Sequence, residues 1–370
     1  MNTQTLTSYL KILACDGLGV VNARKLLEAS QDVTAIFESD FLDRFLELTI
    51  PPSIKKLIQE DHHSALIQDE LQFIQENNIQ CVGFLDNAYP KLLKECADAP
   101  VVLFYKGNLN LLQNDCLSVV GTRKISSFGK EMVQNLMTSV APYNPTIVSG
   151  MAYGVDICAY AEARKNKLGM VGVMGTSFKT LYPSAHKKLY YDLFENGLVI
   201  TEYAGFNTHV PELFTRRNRI IAGLSKATVV VESAEKGGSL ITAYFANDYA
   251  REVYAIPGRM TDEFSKGCLR LIHENRAQVL YDFNHLIDDL NWNKEIAVKV
   301  ETEVKKQIDL NQFSAVQQTI LKCLQEKELH IDELALQTQL EMATLNAELM
   351  MLELDSVVIG LPGKMFKLKY

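Results

Sequence analysis

Between residues 81 and 290, short and almost uninterrupted apolar runs alternate with stretches of helical periodicity, a pattern few architectures accommodate. The runs are rich in β-branched residues: LSVV at 117–120, TIV at 146–148, MVGVM at 170–174, LVI at 198–200, TVVV at 228–231, VYAI at 253–256 and QVL at 278–280. Helical patterns fill the intervals at 128–140, 154–166, 185–195, 213–223, 239–250 and 267–275. A strand that is apolar on both faces must be covered on both, and the connecting helices supply the cover. The pattern predicts an α/β fold whose core is a doubly wound, extended Rossmann-like parallel sheet.

The flanks read differently. Residues 1–80 carry apolar residues at helical spacing (Leu10, Leu13, Val20, Val21, Leu26, Leu27, then Ile54, Leu57, Ile58, and Leu66, Leu71, Ile74), predicting an all-helical module. Within it, the stretch from Cys15 through Gly17 and Gly19 resembles a helix–hairpin–helix turn. Backbone N–H groups of such a turn can face a DNA phosphate, and a purely structural role is the other reading. Residues 291–312 are charged and weakly periodic, as a linker is. Residues 313–370 outline three helices (315–325, 331–338, 343–353) and a β-hairpin, a small winged-helix-like domain. Its third helix is acidic where phosphate contacts call for cations, so protein interaction or oligomerisation competes with DNA binding there.

A chain of 370 residues holds two or three domains at ordinary domain size. No apolar run reaches the roughly 18–20 residues of a membrane-spanning helix, and the N-terminus lacks the layout of a signal peptide. The expectation is a cytoplasmic protein without membrane association. The seven cysteines form no CxxC and no zinc-spaced Cys/His set, so reduced thiols are expected, with no metal and no cofactor. The net charge of −8 is unevenly spread. Residues 121–270 hold 18 basic against 13 acidic residues, and the remainder 19 against 32. A basic middle between acidic ends suits an anionic ligand, although chance on a solvated surface would give the same count.

Ligands of doubly wound sheets bind at the carboxyl ends of the strands. The first run ends in Gly121, Thr122 and Arg123, followed by Ser126, Ser127 and Gly129 at a helix entry. Small residues admit a phosphate, helix N–H groups favour an anion, and arginine forks onto its oxygens. The spacing is not GxGxxG, so a dinucleotide fingerprint is unsupported. The second run ends in Ser149, Gly150 and Gly154. The third leads to Phe178, Lys179 and Tyr182, with His186, Lys187 and Lys188 beyond. Interleaved basic and aromatic residues suit single-stranded nucleic acid, and ordinary core packing is the alternative for the aromatics. Arg216, Arg217 and Arg219 surround Asn218 at a helix start, with at least one of them expected to pair with Glu202 or Glu232. Gly237, Gly238, Ser239 and Thr242 form a further cradle after the most apolar run. Nucleophile elbow, HExxH and Walker lysine loop are all missing, which favours binding over catalysis.

Together these segments resemble the DNA-processing protein A family (DprA, also called Smf) over the full length. The residues carrying the likeness are Tyr89-Pro, APVVLFYKG at 99–107, VGTR at 120–123, SGMAYGVD at 149–156, LYP at 181–183, RNRIIAGLS at 217–225, GSLITA at 238–243 and IPG at 256–258. The resemblance implies a homodimer that binds and protects incoming single-stranded DNA and loads the RecA recombinase in natural transformation. It further implies that Arg123, Lys179, Arg217 and Arg219 grip the DNA backbone while Ser149, Gly150, Gly238 and Ser239 line the same pocket. Tyr160, Gly237 and TSFK at 176–179 depart from the family's usual pattern. The core is also similar to lysine-decarboxylase-like nucleoside-monophosphate phosphoribohydrolases. Their PGGxGTxxE loop corresponds to KGGSLITAYF at 236–245, where Phe245 stands in place of the acid/base glutamate. That absence favours a DNA binder that is not an enzyme.

Overall fold

The computed structural model describes residues 1–15, 17–38, 41, 64–206, 212–292, 312–324, 328–354, 357–361 and 363–368. Two compact units, Met1–Leu290 and Asn291–Tyr370, divide the chain. Ile54, Leu57 and Ile58, and most of the expected linker, lie outside the described residues.

The first unit opens with α1 (Thr3–Ala14), whose Asn2 cap accepts from the Thr5 amide at 2.8 Å, and α2 (Gly19–Ser30). The turn between them places both Gly17 and Gly19 at positive φ, as a tight helix–helix hairpin requires. After α3 (Ser64–Glu76) come β1 (Gln80–Gly83), α4 (Lys91–Glu95) and β2 (Val102–Gly107). The alternating core follows: β3 (Cys116–Val120), α5 (Ser127–Val140), β4 (Thr146–Ser149), α6 (Val155–Lys165), β5 (Met170–Val173), α7 (Lys187–Asn196) and β6 (Leu198–Thr201). It continues through α8 (Glu212–Leu224), β7 (Ala227–Val230), α9 (Ser239–Asp248), β8 (Glu252–Ala255), α10 (Lys266–His273), β9 (Gln278–Val279) and α11 (Phe283–Asp289).

These strands form one sheet in the order β1-β2-β6-β5-β4-β3-β7-β8-β9. From β6 to β9 every pairing is parallel, and every residue of β3 to β7 is buried, which is why those runs are apolar without alternation. The sequence steps outward from β3 through β4 and β5 to β6, then returns to β7 on the other side of β3. Right-handed crossovers then put α5, α6 and α7 on one face and α8 and α9 on the other. Two antiparallel strands, β1 and β2, extend the sheet beyond β6 and were not read as strands from the sequence. The N-terminal helices share the core of the sheet: Tyr9, Leu10, Leu26 and Leu27 pack in one cluster with Val102, Leu103 and Phe104. Val21 and Leu66, expected among the apolar positions, are instead exposed.

The second unit holds α12 (Ala315–Leu324), β10 (Leu329–His330), α13 (Ile331–Thr338), α14 (Met342–Leu354), β11 (Val358–Leu361) and β12 (Met365–Leu368). Its sheet runs β10-β12-β11, antiparallel throughout, over a core that includes Ile320, Leu334, Leu345 and Leu349. This is a winged helix, with β10 added to the expected hairpin. Among the described residues no helix is long and apolar enough to cross a membrane. None of their His, Cys, Asp and Glu side chains gather in threes as a metal would need.

Candidate nucleic-acid interface

Strands β3 and β7 are neighbours whose chains leave in opposite directions, which opens a crevice at their carboxyl ends. A cleft of about 370 Å³ sits there. Its walls are Gly121, Thr122 and Arg123 after β3, Phe214, Arg217 and Asn218 on α8, and Gly238 and Ser239 at the start of α9.

The loop after β3 is fixed by backbone bonds. The Thr122 amide donates to the Glu232 carbonyl at 2.7 Å, and the Thr122 carbonyl accepts from the Val155 amide at 3.1 Å. Gly154 stands at φ +80° directly against that carbonyl, so a side chain there would both strain the backbone and collide. The Arg123 side chain is exposed at the cleft and forms no hydrogen bond or ion pair with the described residues. Ser126 was expected to offer its helix entry to a phosphate, but Glu232 already fills that place. The Glu232 carboxylate accepts from the Ser126 amide at 2.9 Å and from its hydroxyl at 2.5 Å, while Ser126 Oγ caps the Gly129 amide. Gly129 is required because a Cβ would meet the Glu232 carboxylate. The positive end of α5 is therefore neutralised by the protein itself.

At 100° per residue, α8 sends its three arginines to three places. Arg216 is exposed at a separate small cavity with Glu202 and Tyr203. Arg217 is 6% exposed and turns inward, donating to the Gly150 carbonyl at 2.5 Å and to the Val173 carbonyl. Asp156 lies beside it, accepting from the Ala152 amide at 3.0 Å. Burial pushes the Asp156 carboxyl above its ordinary value, against the pull of Arg217, and burial likewise lowers Arg217. Arg219 is 4% exposed and reaches Glu202 at 2.5 Å and the Asp98 carbonyl at 2.6 Å. The expected structural pairing with Glu202 is thus present. The expected cationic cluster is not one patch, because two of its three members hold the protein together.

Ser149 is fully buried and donates to the Val119 carbonyl at 2.8 Å. Gly150 contributes its carbonyl to Arg217. At α9, Ser239 Oγ donates to Ser233 Oγ at 2.8 Å and Asn218 Nδ2 donates to the Gly238 carbonyl at 3.3 Å. The backbone N–H groups of Gly238 and Ser239 find no acceptor among the described residues, and the space around Gly238 Cα is open. Unlike that of α5, the positive end of α9 is left available.

Aromatic pairs flank the cleft. Tyr153 stacks edge-on with His186 at 4.6 Å, and His186 Nδ1 donates to the Met151 carbonyl at 2.9 Å. Tyr182 lies against Phe214 at 5.2 Å. Tyr153 and Tyr182 are 46% and 42% exposed, and Lys187 beyond them is exposed and forms no ion pair with the described residues. Phe178 packs on Phe194 and the core. Lys179 pairs with Glu70 at 3.0 Å and lies over Phe73, tying the β5 loop to α3. Tyr153 was not singled out from the sequence. Its place between two glycine-rich turns was the available signal, since a large exposed aromatic there has no core to fill.

Residues 80–291 match the family described as DNA recombination-mediator protein A, and residues 309–364 match the DprA winged helix domain. The DNA processing protein DprA of Streptococcus pneumoniae is 41% identical over 197 residues, covering 53% of this chain and 70% of that protein. Protein Smf of Synechocystis is 30% identical over 329 residues, covering 80% and 82% respectively. In three dimensions, the X-ray structure of S. pneumoniae DprA superposes with a TM-score of 0.65 at 33% identity, covering 76% of this chain and 97% of that one. A Helicobacter pylori DNA processing protein A structure, described for its single-stranded DNA binding mode, gives 0.53 at 26% identity, covering 58% and 96%.

Proposed function

The chain belongs to the DNA recombination-mediator (DprA/Smf) family, and on that premise we propose that it binds single-stranded DNA at the β3–β7 cleft and mediates recombination. The observation that carries the reading is the unengaged Arg123 facing the same cleft as the open N-terminus of α9. A phosphodiester supplies acceptor oxygens to both, with Thr122 and Asn218 at its edges. Tyr153, His186 and Tyr182 offer faces for bases beside it, and Lys187 a further phosphate contact. Unstacked bases can lie on such rings and paired bases cannot, so the site favours a single strand over a duplex.

In this reading Ser126, Ser149, Gly150, Arg217 and Arg219 shape the cleft from behind, and Arg123, Lys187, Gly238 and Ser239 meet the strand. Phe178 and Lys179 brace the β5 loop through Phe194 and Glu70. The proposal extends to a cytoplasmic homodimer that protects incoming DNA and hands it to RecA. It also keeps the division into a helical module (1–80), a central DNA-binding domain (81–290), a linker (291–312) and a terminal domain (313–370). The role is binding rather than bond-breaking: Glu232 is held by Ser126, Asp156 faces Arg217, and Phe245 stacks on Tyr249 where the related hydrolases would need an acid.

Competition between a labelled single strand of about 20 nucleotides and an equal-length duplex, at low salt, tests this. Displacement by unlabelled single strand but not by duplex is expected. Failure to bind either, with release of base from a nucleoside monophosphate, would replace the reading with the hydrolase one.

A further inference from the structure

The winged-helix unit carries a surface that DNA binding does not use. Helix α14 has two apolar stripes. The inner one, Leu345, Leu349 and Leu352, is at most 1% exposed and builds the core of the unit. The outer one runs through Met342, Ala343, Ala347, Met350 and Met351, all exposed, with the three methionines at 43%, 63% and 52%. Asn346, within that stripe, has its amide turned back onto the Met342 carbonyl at 2.7 Å. A helix of a small unit ordinarily presents charge on its outer side, and one with an apolar stripe there expects a second cover.

What would cover it follows from shape and charge. The two alanines, one turn apart, let another helix approach closely, and the methionines at either end adapt to its side chains. The charged residues beside the stripe are Glu341, Glu348 and Glu353, and positions 341–354 contain no lysine or arginine. Phosphate backbones and anionic lipid surfaces are repelled by that rim. A second copy docking through the same stripe would bring the glutamates together. We propose that the outer face of α14 docks an amphipathic helix of a partner protein, one whose apolar stripe is bordered by lysine or arginine.

The test uses the full chain and two fluorescent synthetic helices of about 18 residues with one leucine–alanine stripe, bordered by lysines in one and glutamates in the other. The lysine-bordered peptide should bind saturably, the glutamate-bordered one should not, and Ala347→Glu should weaken binding by at least about ten-fold. Ala347 is exposed, so circular dichroism of this variant should match wild type, and Ala347→Ser should retain binding. Equal binding of both peptides, or binding indifferent to Ala347→Glu, would overturn the proposal. Loss of self-association in Ala347→Glu by sedimentation would assign the stripe to a second copy instead. Wild-type binding to phosphatidylglycerol vesicles, lost in the variant, would assign it to a membrane. Either result overturns the proposal.

Discussion

The substitution Arg217→Ala removes a guanidinium that is 6% exposed, donates to two backbone carbonyls and faces Asp156. Its loss leaves two buried carbonyls without their donor and the buried Asp156 carboxylate without an opposing charge nearby, at a cost of about 3–5 kcal/mol. That is a large share of the 5–15 kcal/mol by which a typical domain is stable. For a unit of the size of Met1–Leu290 the melting temperature should fall by roughly 5–8 °C. Urea denaturation followed by circular dichroism measures the loss, and Arg217→Lys, which keeps the charge but not the fork, should lose less. The pH dependence has a definite sign. Burial already raises the Asp156 carboxyl from 3.8, and without Arg217 it rises further. A raised acid binds its proton more tightly in the folded state, so the variant's deficit should shrink as pH falls through that raised value. An unchanged denaturation midpoint, accompanied by lost DNA affinity, would refute the reasoning and place Arg217 at the DNA surface.

Two further outcomes follow from the same geometry. Tyr153→Ala should weaken single-strand binding by about 1–3 kcal/mol while leaving its salt slope unchanged, because a stacking contact releases no counterion; anisotropy titrations at several salt concentrations separate the two. Glu232→Ala should lower stability by about 1–3 kcal/mol, since it strips the Ser126 amide and hydroxyl of their acceptor, and calorimetry would show it; an unaltered melting temperature would mean that the α5 N-terminus is open to ligands after all.

The parallel core was legible because burial on both faces leaves a local signature, and the runs at 117–120 and 228–231 fall on β3 and β7. Strands β1 and β2 were not, because both are only partly buried, and neither leaves the fully buried apolar run of the parallel core. The strand-end loops were identified from glycine, hydroxyl and arginine content, and several of them do converge on one cleft. Composition could not tell which donors the protein spends on itself. Ser126 and Glu232 are 106 positions apart, and Arg217 meets Gly150 across 67. Adjacent arginines look like one patch in a sequence, whereas helical rotation sends Arg216, Arg217 and Arg219 to different neighbours. Tyr153 is the converse case: its local sign is the flanking pair of glycines at 150 and 154, which does not tell a ring that stacks outward from one that packs.

The most direct measurement of the central claim is the salt dependence of single-strand binding for wild type and Arg123→Ala, read by fluorescence anisotropy. Wild type should lose affinity linearly in the logarithm of salt concentration. Arg123→Ala should bind about 1–3 kcal/mol more weakly, with a slope shallower by about 0.7, the share of one released phosphate contact, and with unchanged thermal stability. An Arg123→Ala protein with the affinity and slope of wild type would contradict a DNA path through the β3–β7 cleft.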